Sequence, residues 1–205
     1  MEPVRHVVIV PVKSPAVGKS RLRVPGPARV ELARAFALDV LAAAESTSTV
    51  AEVVVATSDP EVAQTVRALG HRVVAEGNGL NHALRAAAAA ARGWWPDLVP
   101  VALCADLPCL TAHDLGSALA QVTADGASFV VDATGEGTTL YGAGQDHFAP
   151  CFGPGSSAAH AAAGARPVDG ALATLRRDVD DEADLAEAVR LGPGRHTREA
   201  LALLS

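Results

Sequence analysis

Apolar residues recur along the chain in two rhythms whose order predicts the architecture. Val7, Val8, Ile9, Val10 and Val12 are too continuously apolar to leave one face in water, the pattern of a central parallel strand buried on both sides. Pro27 to Ala44 then carries Val30, Leu32, Ala33, Phe36, Ala37, Val40 and Leu41 at near-helical spacing, an amphipathic helix. Ala51 to Ala56 reads as the next strand, ending at Thr57, Ser58 and Asp59, and Pro60 opens a helix running to about Leu69. His71 to Ala75 predicts a short strand, after which Gly77, Asn78 and Gly79 turn the chain into an alanine-rich helix from Asn81 to Arg92.

The alternation continues with a buried strand from Pro100 to Ala105, a helix from Thr111 to Val122 and a strand from Ser128 to Asp132. Thr111 is the expected N-cap, with Asp114 three residues on in a capping-box-like arrangement. Glycine and proline become dense from Ala133 to Gly155, around two strand-like segments, Thr138 to Tyr141 and His147 to Cys151. Ser156 to Ala163 predicts a short helix, Leu175 to Asp180 a terminal strand and Asp181 to Leu191 a helix, which Gly192-Pro193-Gly194 closes before a last short helix. The order predicts an α/β fold: a three-layer α/β/α sandwich around a mostly parallel, Rossmann-like sheet.

Composition narrows the picture. The chain has 205 residues, one domain by length and by the lack of an internal linker, and 49% of them are hydrophobic but only 3% aromatic. The core must therefore be built from Val, Leu and Ala. A formal net charge of −6 argues against a nucleic-acid-binding face. Apolar runs fall short of the ~20 residues that span a bilayer, and the start lacks a charged region followed by a long apolar one, so a soluble, cytoplasmic protein is expected. Cys104, Cys109 and Cys151 are odd in number and lack zinc-site spacing, which predicts reduced thiols.

Candidate chemistry collects where strands end, since ligands of open α/β sheets lie beyond the strands' carboxyl ends. The first strand runs into a loop with Lys13, Lys19 and Arg21, suited to the charge of a triphosphate and its pyrophosphate leaving group. Gly18-Lys19-Ser20 imitates a P-loop, but the glycine that motif requires five positions earlier is Lys13. The strand ending at Ala105 delivers Asp106. In Asp178-Val179-Asp180 an extended backbone would turn both carboxylates to one side, and with Asp106 they form a hard oxygen set suited to Mg²⁺. The competing role for Asp180 or Asp181 is to cap the following helix. Gly79 and Asn81 offer backbone N–H groups and an amide at a helix start. Gly135-Glu136-Gly137-Thr138-Thr139 and Phe152-Gly153-Pro154-Gly155-Ser156-Ser157 offer N–H groups and hydroxyls to an anion. His160, four residues after Ser156, shares its helix face, whereas His6, His71, His113 and His196 read as surface positions.

Taken in order, Val12-Lys13 with Gly18-Lys19-Ser20-Arg21-Leu22, Gly79-Leu80-Asn81-His82-Ala83-Leu84, Ala105-Asp106-Leu107-Pro108, Gly137-Thr138, Phe152 to Ser157 with His160, and Asp178-Val179-Asp180 resemble one family. It is the phosphoenolpyruvate or 2-phospho-L-lactate guanylyltransferase family of deazaflavin coenzyme F-420 biosynthesis. The resemblance implies a nucleotide-diphospho-sugar transferase-like fold, with GTP and a phosphorylated three-carbon acid as substrates. Asp106, Asp178 and Asp180 would hold Mg²⁺. Thr138, Gly153 and Ser156 would receive the acid. Lys13, Lys19 and Arg21 would do the catalytic work on the phosphates, with Gly79 and Asn81 at the nucleotide. A homodimer and a downstream deazaflavin transferase as recipient of the product are implied as well. Cys151 and Thr139 depart from the family pattern, which bears on acid preference. Two other readings stay open: another nucleotidyltransferase of the fold, of molybdopterin guanylyl or cytidylyl type, and a non-catalytic nucleotide-binding regulator.

Overall fold

The first apolar run lies in the middle of a sheet. The computed structural model describes residues 4–13, 22, 24–75 and 77–204. Strands β1 (His6–Pro11), β2 (Val50–Ala56), β3 (Arg72–Val74), β4 (Val99–Leu103), β5 (Ala127–Val131), β6 (Thr138–Ala143) and β7 (Arg166–Pro167) pair in the order β3-β2-β1-β4-β6-β5-β7. All pairings are parallel except those of β6, which runs antiparallel between β4 and β5.

The described residues form eight α-helices, α1 (Gly26–Glu45), α2 (Pro60–Ala68), α3 (Leu80–Trp94), α4 (Ala112–Leu119), α5 (Ser156–Ala162), α6 (Ala173–Arg176), α7 (Glu182–Leu191) and α8 (Arg195–Ala202), which flank the sheet or pack on the helices that do. Alternate residues of the strands enter two separate cores. Val8, Val10, Val53, Val55, Val101 and Leu103 pack with α1, α2 and α4, while Val7, Ile9, Val54 and Ala102 pack with Ala83, Leu84, Ala87, Ala88 and Ala91 of α3. Both faces are buried, which explains the unbroken apolar runs and confirms the three layers. Alanine on α3 lets the helix approach the sheet closely.

Helix α1 is buried on two sides, against the sheet and against α8. Asp39, only 5% exposed, accepts hydrogen bonds from the first N–H groups of α8, His196 at 3.0 Å and Thr197 at 2.9 Å. A side chain on Gly194 would overlap that carboxylate. One helix thus caps another across 157 residues of sequence.

Three expectations are corrected. His147–Cys151 is not a strand: Gln145–His147 forms a 3₁₀ turn, and Tyr141 Oη takes the Ala149 N–H at 3.4 Å where a ladder partner would be. Leu175–Asp180 is not a strand either, because the Leu175 and Arg176 N–H groups bond to the Leu172 carbonyl and make α6. His6 is not on the surface but 1% exposed, and desolvation lowers its pKa. β7 has no counterpart in the sequence reading, since two exposed residues carry no periodic signal. Among the described residues no helix is long and apolar enough to cross a membrane.

Asp39→Ala would strand two N–H groups at α8, one of them on buried Thr197. The expected loss is about 2 kcal/mol, or ~4–8 °C in Tm by calorimetry, and an unchanged Tm would refute the capping role.

Candidate active site

The strand order reverses between β1 and β4, and there the carboxyl ends of these neighbours face one region. Val12 continues β1 through its N–H to Ala56 O at 2.9 Å, and Lys13 follows, exposed. Lys19 and Arg21 lie outside the described residues. Leu22, the residue after that loop, is 1% exposed in an apolar cluster with Leu32, Phe36, Cys109, Val179 and Ala188.

That cluster organises the acidic segment. Val179 is fully buried, and its N–H donates to the Asp106 carbonyl at 3.0 Å. Asp178 and Asp180 flank it, the first half-buried and the second exposed. Residues two apart on either side of an inward-facing one turn the same way, so burial of Val179 does for these carboxylates what the expected strand would have done. The capping role belongs to Asp181, which accepts from Ala183 N at 2.8 Å and Asp184 N at 3.1 Å in a capping box with Asp184.

Asp178 has its pKa raised from the usual 3.8 to about 7, first by burial, then by the charges of Asp106, Asp180 and Asp132. The expected trio therefore shares one electrostatic neighbourhood, and a fourth carboxylate joins it. Among the described residues no three His, Cys, Asp or Glu side chains stand close enough to enclose a metal ion. Mg²⁺ is commonly held by one or two carboxylates with substrate phosphates and waters, so an all-carboxylate group short of a cage fits that ion.

Asp132 ends β5 as Asp106 follows β4, a position the sequence displayed without its being read as part of the site. Its Oδ1 accepts from Gly135 N at 2.8 Å and Glu136 N at 3.1 Å, tying down the turn before β6. A side chain on Gly137 would overlap this carboxylate. The register of β5 and β6 then slips, with Val130 opposite Leu140 but Val131 opposite Thr138. Such a bulge changes the face a side chain points to. Thr138 accordingly reaches His160 of α5, Oγ1 to Nδ1 3.0 Å.

The Phe152-Gly153-Pro154-Gly155 loop is held from two sides. Asn81 receives the Phe152 N–H at 2.8 Å and donates to the Phe152 carbonyl at 2.9 Å, while the Cys151 N–H donates to His160 Nε2 at 2.8 Å. Asn81, expected at the nucleotide, thus has its amide committed to this loop, a pairing across 71 residues. Gly153 and Gly155 take φ of +142° and +69°, and Ser156, 2% exposed, donates its N–H to Gly153 O at 3.1 Å. Ser157 N–H reaches Glu136 O at 3.1 Å, joining this loop to the Thr138 turn. Thr138, Gly153 and Ser156 are therefore brought together. Gly79 is the N-cap of α3 with φ +94°, at the same end of the sheet. Asp114 does not close a capping box; it crosses to α6 and accepts from Thr174 N at 2.9 Å and Thr174 Oγ1 at 2.7 Å.

A family model described as guanylyl transferase CofC-like matches residues 6–205. The chain is 47% identical over 196 residues to a phosphoenolpyruvate guanylyltransferase of Thermomonospora curvata, covering 93% of this chain and 86% of that one. Among solved structures, a nucleotidyl transferase of Methanothermobacter superposes with a TM-score of 0.63 at 16% identity, covering 89% and 95% of the two chains. A Desulfovibrio desulfuricans chain assigned to the nucleotide-diphospho-sugar transferases gives 0.60 at 16% identity over 96% and 98%. At such identity these two speak for the fold alone, and they bear out the nucleotide-diphospho-sugar transferase-like architecture.

Because the folded pKa of Asp178 lies above its unfolded value, the folded state binds the extra proton between about pH 4 and 7, and stability falls as pH rises through that window. Without divalent metal, Asp178→Asn should be more stable than the parent at pH 8, by about 1–2 kcal/mol after allowance for screening of a partly exposed group. The gap should close near pH 4. Denaturant midpoints at both pH values test this, and a less stable variant at pH 8 would refute the shared field.

Proposed function

The chain belongs to the CofC-like guanylyl transferase family, and on that premise we propose that it joins GMP from GTP to the phosphate of phosphoenolpyruvate or 2-phospho-L-lactate. The observation that supports this reading is the presence, at one end of the sheet, of a carboxylate group centred on Asp178 and of a glycine-rich loop at Phe152 to Ser156 held in place by Asn81.

A phosphate oxygen of the acid attacks the α-phosphorus of GTP in line. A P–O bond forms, the α–β bridging bond breaks, and pyrophosphate leaves without a covalent enzyme intermediate. Both reactants are anions, so the protein's task is to hold them together and offset their repulsion. Lys13, with Lys19 and Arg21 of its loop, would neutralise the nucleotide phosphates. The backbone at Gly79 would meet the nucleotide at the start of α3, and Asn81 would act through the Phe152 backbone it holds. The Thr138 hydroxyl, the Gly153 N–H and Ser156 would receive the acid. From the group Asp106, Asp178 and Asp180, one or two carboxylates at a time would hold Mg²⁺ together with substrate phosphates and water, and the ion when bound supplies positive charge against the negative charge developing on the α- and β-phosphates. In this reading the enzyme is cytoplasmic, works as a homodimer and passes its product to a deazaflavin transferase of coenzyme F-420 synthesis.

The test is pyrophosphate release from GTP, ATP and CTP with Mg²⁺, each paired with phosphoenolpyruvate, 2-phospho-L-lactate or 3-phospho-D-glycerate, with mass spectrometry of the product. Release with GTP and one three-carbon acid is expected. Silence across the matrix from folded, metal-loaded protein would favour another nucleotidyl acceptor or a binding protein. Asp178→Asn should lower turnover on the order of 10²–10³-fold, the scale for losing one group that stabilises transition-state charge. Normal activity in that variant would overturn the metal assignment.

A further inference from the structure

His160 is buried more elaborately than packing requires. The chain has four phenylalanines and one tyrosine, and three of these five rings surround this imidazole. Tyr141 stacks on it at 4.7 Å between centroids with planes 24° apart, and Phe129 and Phe152 each lie at 5.5 Å. Phe148 backs Tyr141 at 5.7 Å. With 0% exposure and rings on several sides, the imidazole has a fixed orientation.

Its two nitrogens have different partners, and one of these settles the tautomer. A backbone N–H can only donate, so the Cys151 N–H at 2.8 Å requires a lone pair on Nε2. The neutral ring must then carry its proton on Nδ1. Burial lowers the pKa of His160, only partly offset by a hydrogen bond to the Ser156 backbone. Nδ1–H therefore donates to Thr138 Oγ1 at 3.0 Å, and that oxygen cannot use its own proton toward the ring. Thr138 begins β6 at the sheet end where Asp106 and Asp132 emerge.

We propose that His160 is the positioning residue of the acid-substrate subsite: its Nδ1–H makes Thr138 an outward hydrogen-bond donor to the anionic substrate, and its Nε2 holds the Cys151–Gly153 backbone ready for the same anion. The inference rests on the guanylyltransferase reading for the identity of that anion, a phosphorylated three-carbon acid. His160 never touches the substrate. It acts on the acid through both walls of the subsite and leaves the nucleotide alone.

Phenylalanine fits the aromatic box but keeps neither polar role, and asparagine restores a donor toward Thr138. Calorimetric binding of phosphoenolpyruvate to the full chain with Mg²⁺ is compared for the parent, His160→Phe, His160→Asn, Thr138→Val and the His160→Phe/Thr138→Val pair. GTP affinity and Tm are measured alongside. His160→Phe should weaken acid binding ~10–100-fold, the scale of hydrogen bonds to a charged group, with GTP affinity within ~3-fold. Asparagine should recover part of the loss. The pair should be within ~3-fold of His160→Phe, since that variant already removes what Thr138→Val removes, together with the hold on the Cys151 backbone. Nitrogen-15 shifts of the parent imidazole should report a neutral ring protonated on Nδ1. Equal acid binding by His160→Phe, multiplying losses in the pair, a parallel fall in GTP affinity, or an Nε2–H ring would overturn the inference. A parent that binds no acid would instead sink the guanylyltransferase reading on which the inference depends.

Discussion

Val179 stands fully buried between two aspartates, and the candidate site depends on that burial. Its side chain joins Leu22, Leu32, Phe36 and Cys109 under the surface, so the segments that carry the basic loop, Asp106 and the acidic pair are drawn to one apolar anchor. Burying a side chain of this size contributes roughly 1.5–3 kcal/mol. That is comparable with the cost of holding Asp178 among Asp106, Asp180 and Asp132, whose charges together with burial lift its carboxyl to about 7. Hydrophobic burial beneath the site offsets electrostatic repulsion within it. A cation bound there would relieve that repulsion.

Apart from the carboxylates the chain builds an uncharged, glycine-rich loop, the candidate receptor for an anion. The loop around Gly153 needs glycine torsions. Asn81 and His160 keep it in place from α3 and α5, and the Glu136–Ser157 hydrogen bond links it to the turn that Asp132 caps. A chain so poor in aromatic residues gathers three of them around His160, where the rings hold the orientation of an imidazole whose tautomer the Cys151 N–H sets.

The sheet makes this possible by being buried on both faces. With its strands paired along their length and two independent cores, the sheet holds the strand ends well enough to carry like charges and glycine-rich turns at their tips. Insertion of antiparallel β6 between β4 and β5 brings Thr138, the first residue of its strand, to the end where its neighbours finish.

The sequence by itself determined the layered fold, because continuous apolar runs and helical spacing are local signals that survive without knowledge of partners. It pointed also to Asp106, Asp178 and Asp180 as one group and to Thr138, Gly153 and Ser156 as another, through motifs whose order resembles the family's. The tertiary structure alone decided how these residues are held. Asp178 and Asp180 share a direction through a buried valine rather than a strand, since Leu175 and Arg176 satisfy their N–H groups within a helical turn. Asn81 serves the Phe152 backbone, Asp132 joins the acidic field, and a register slip turns Thr138 toward His160. Each of these is a pairing between distant segments, and no periodicity along a chain records which distant donor will meet which acceptor.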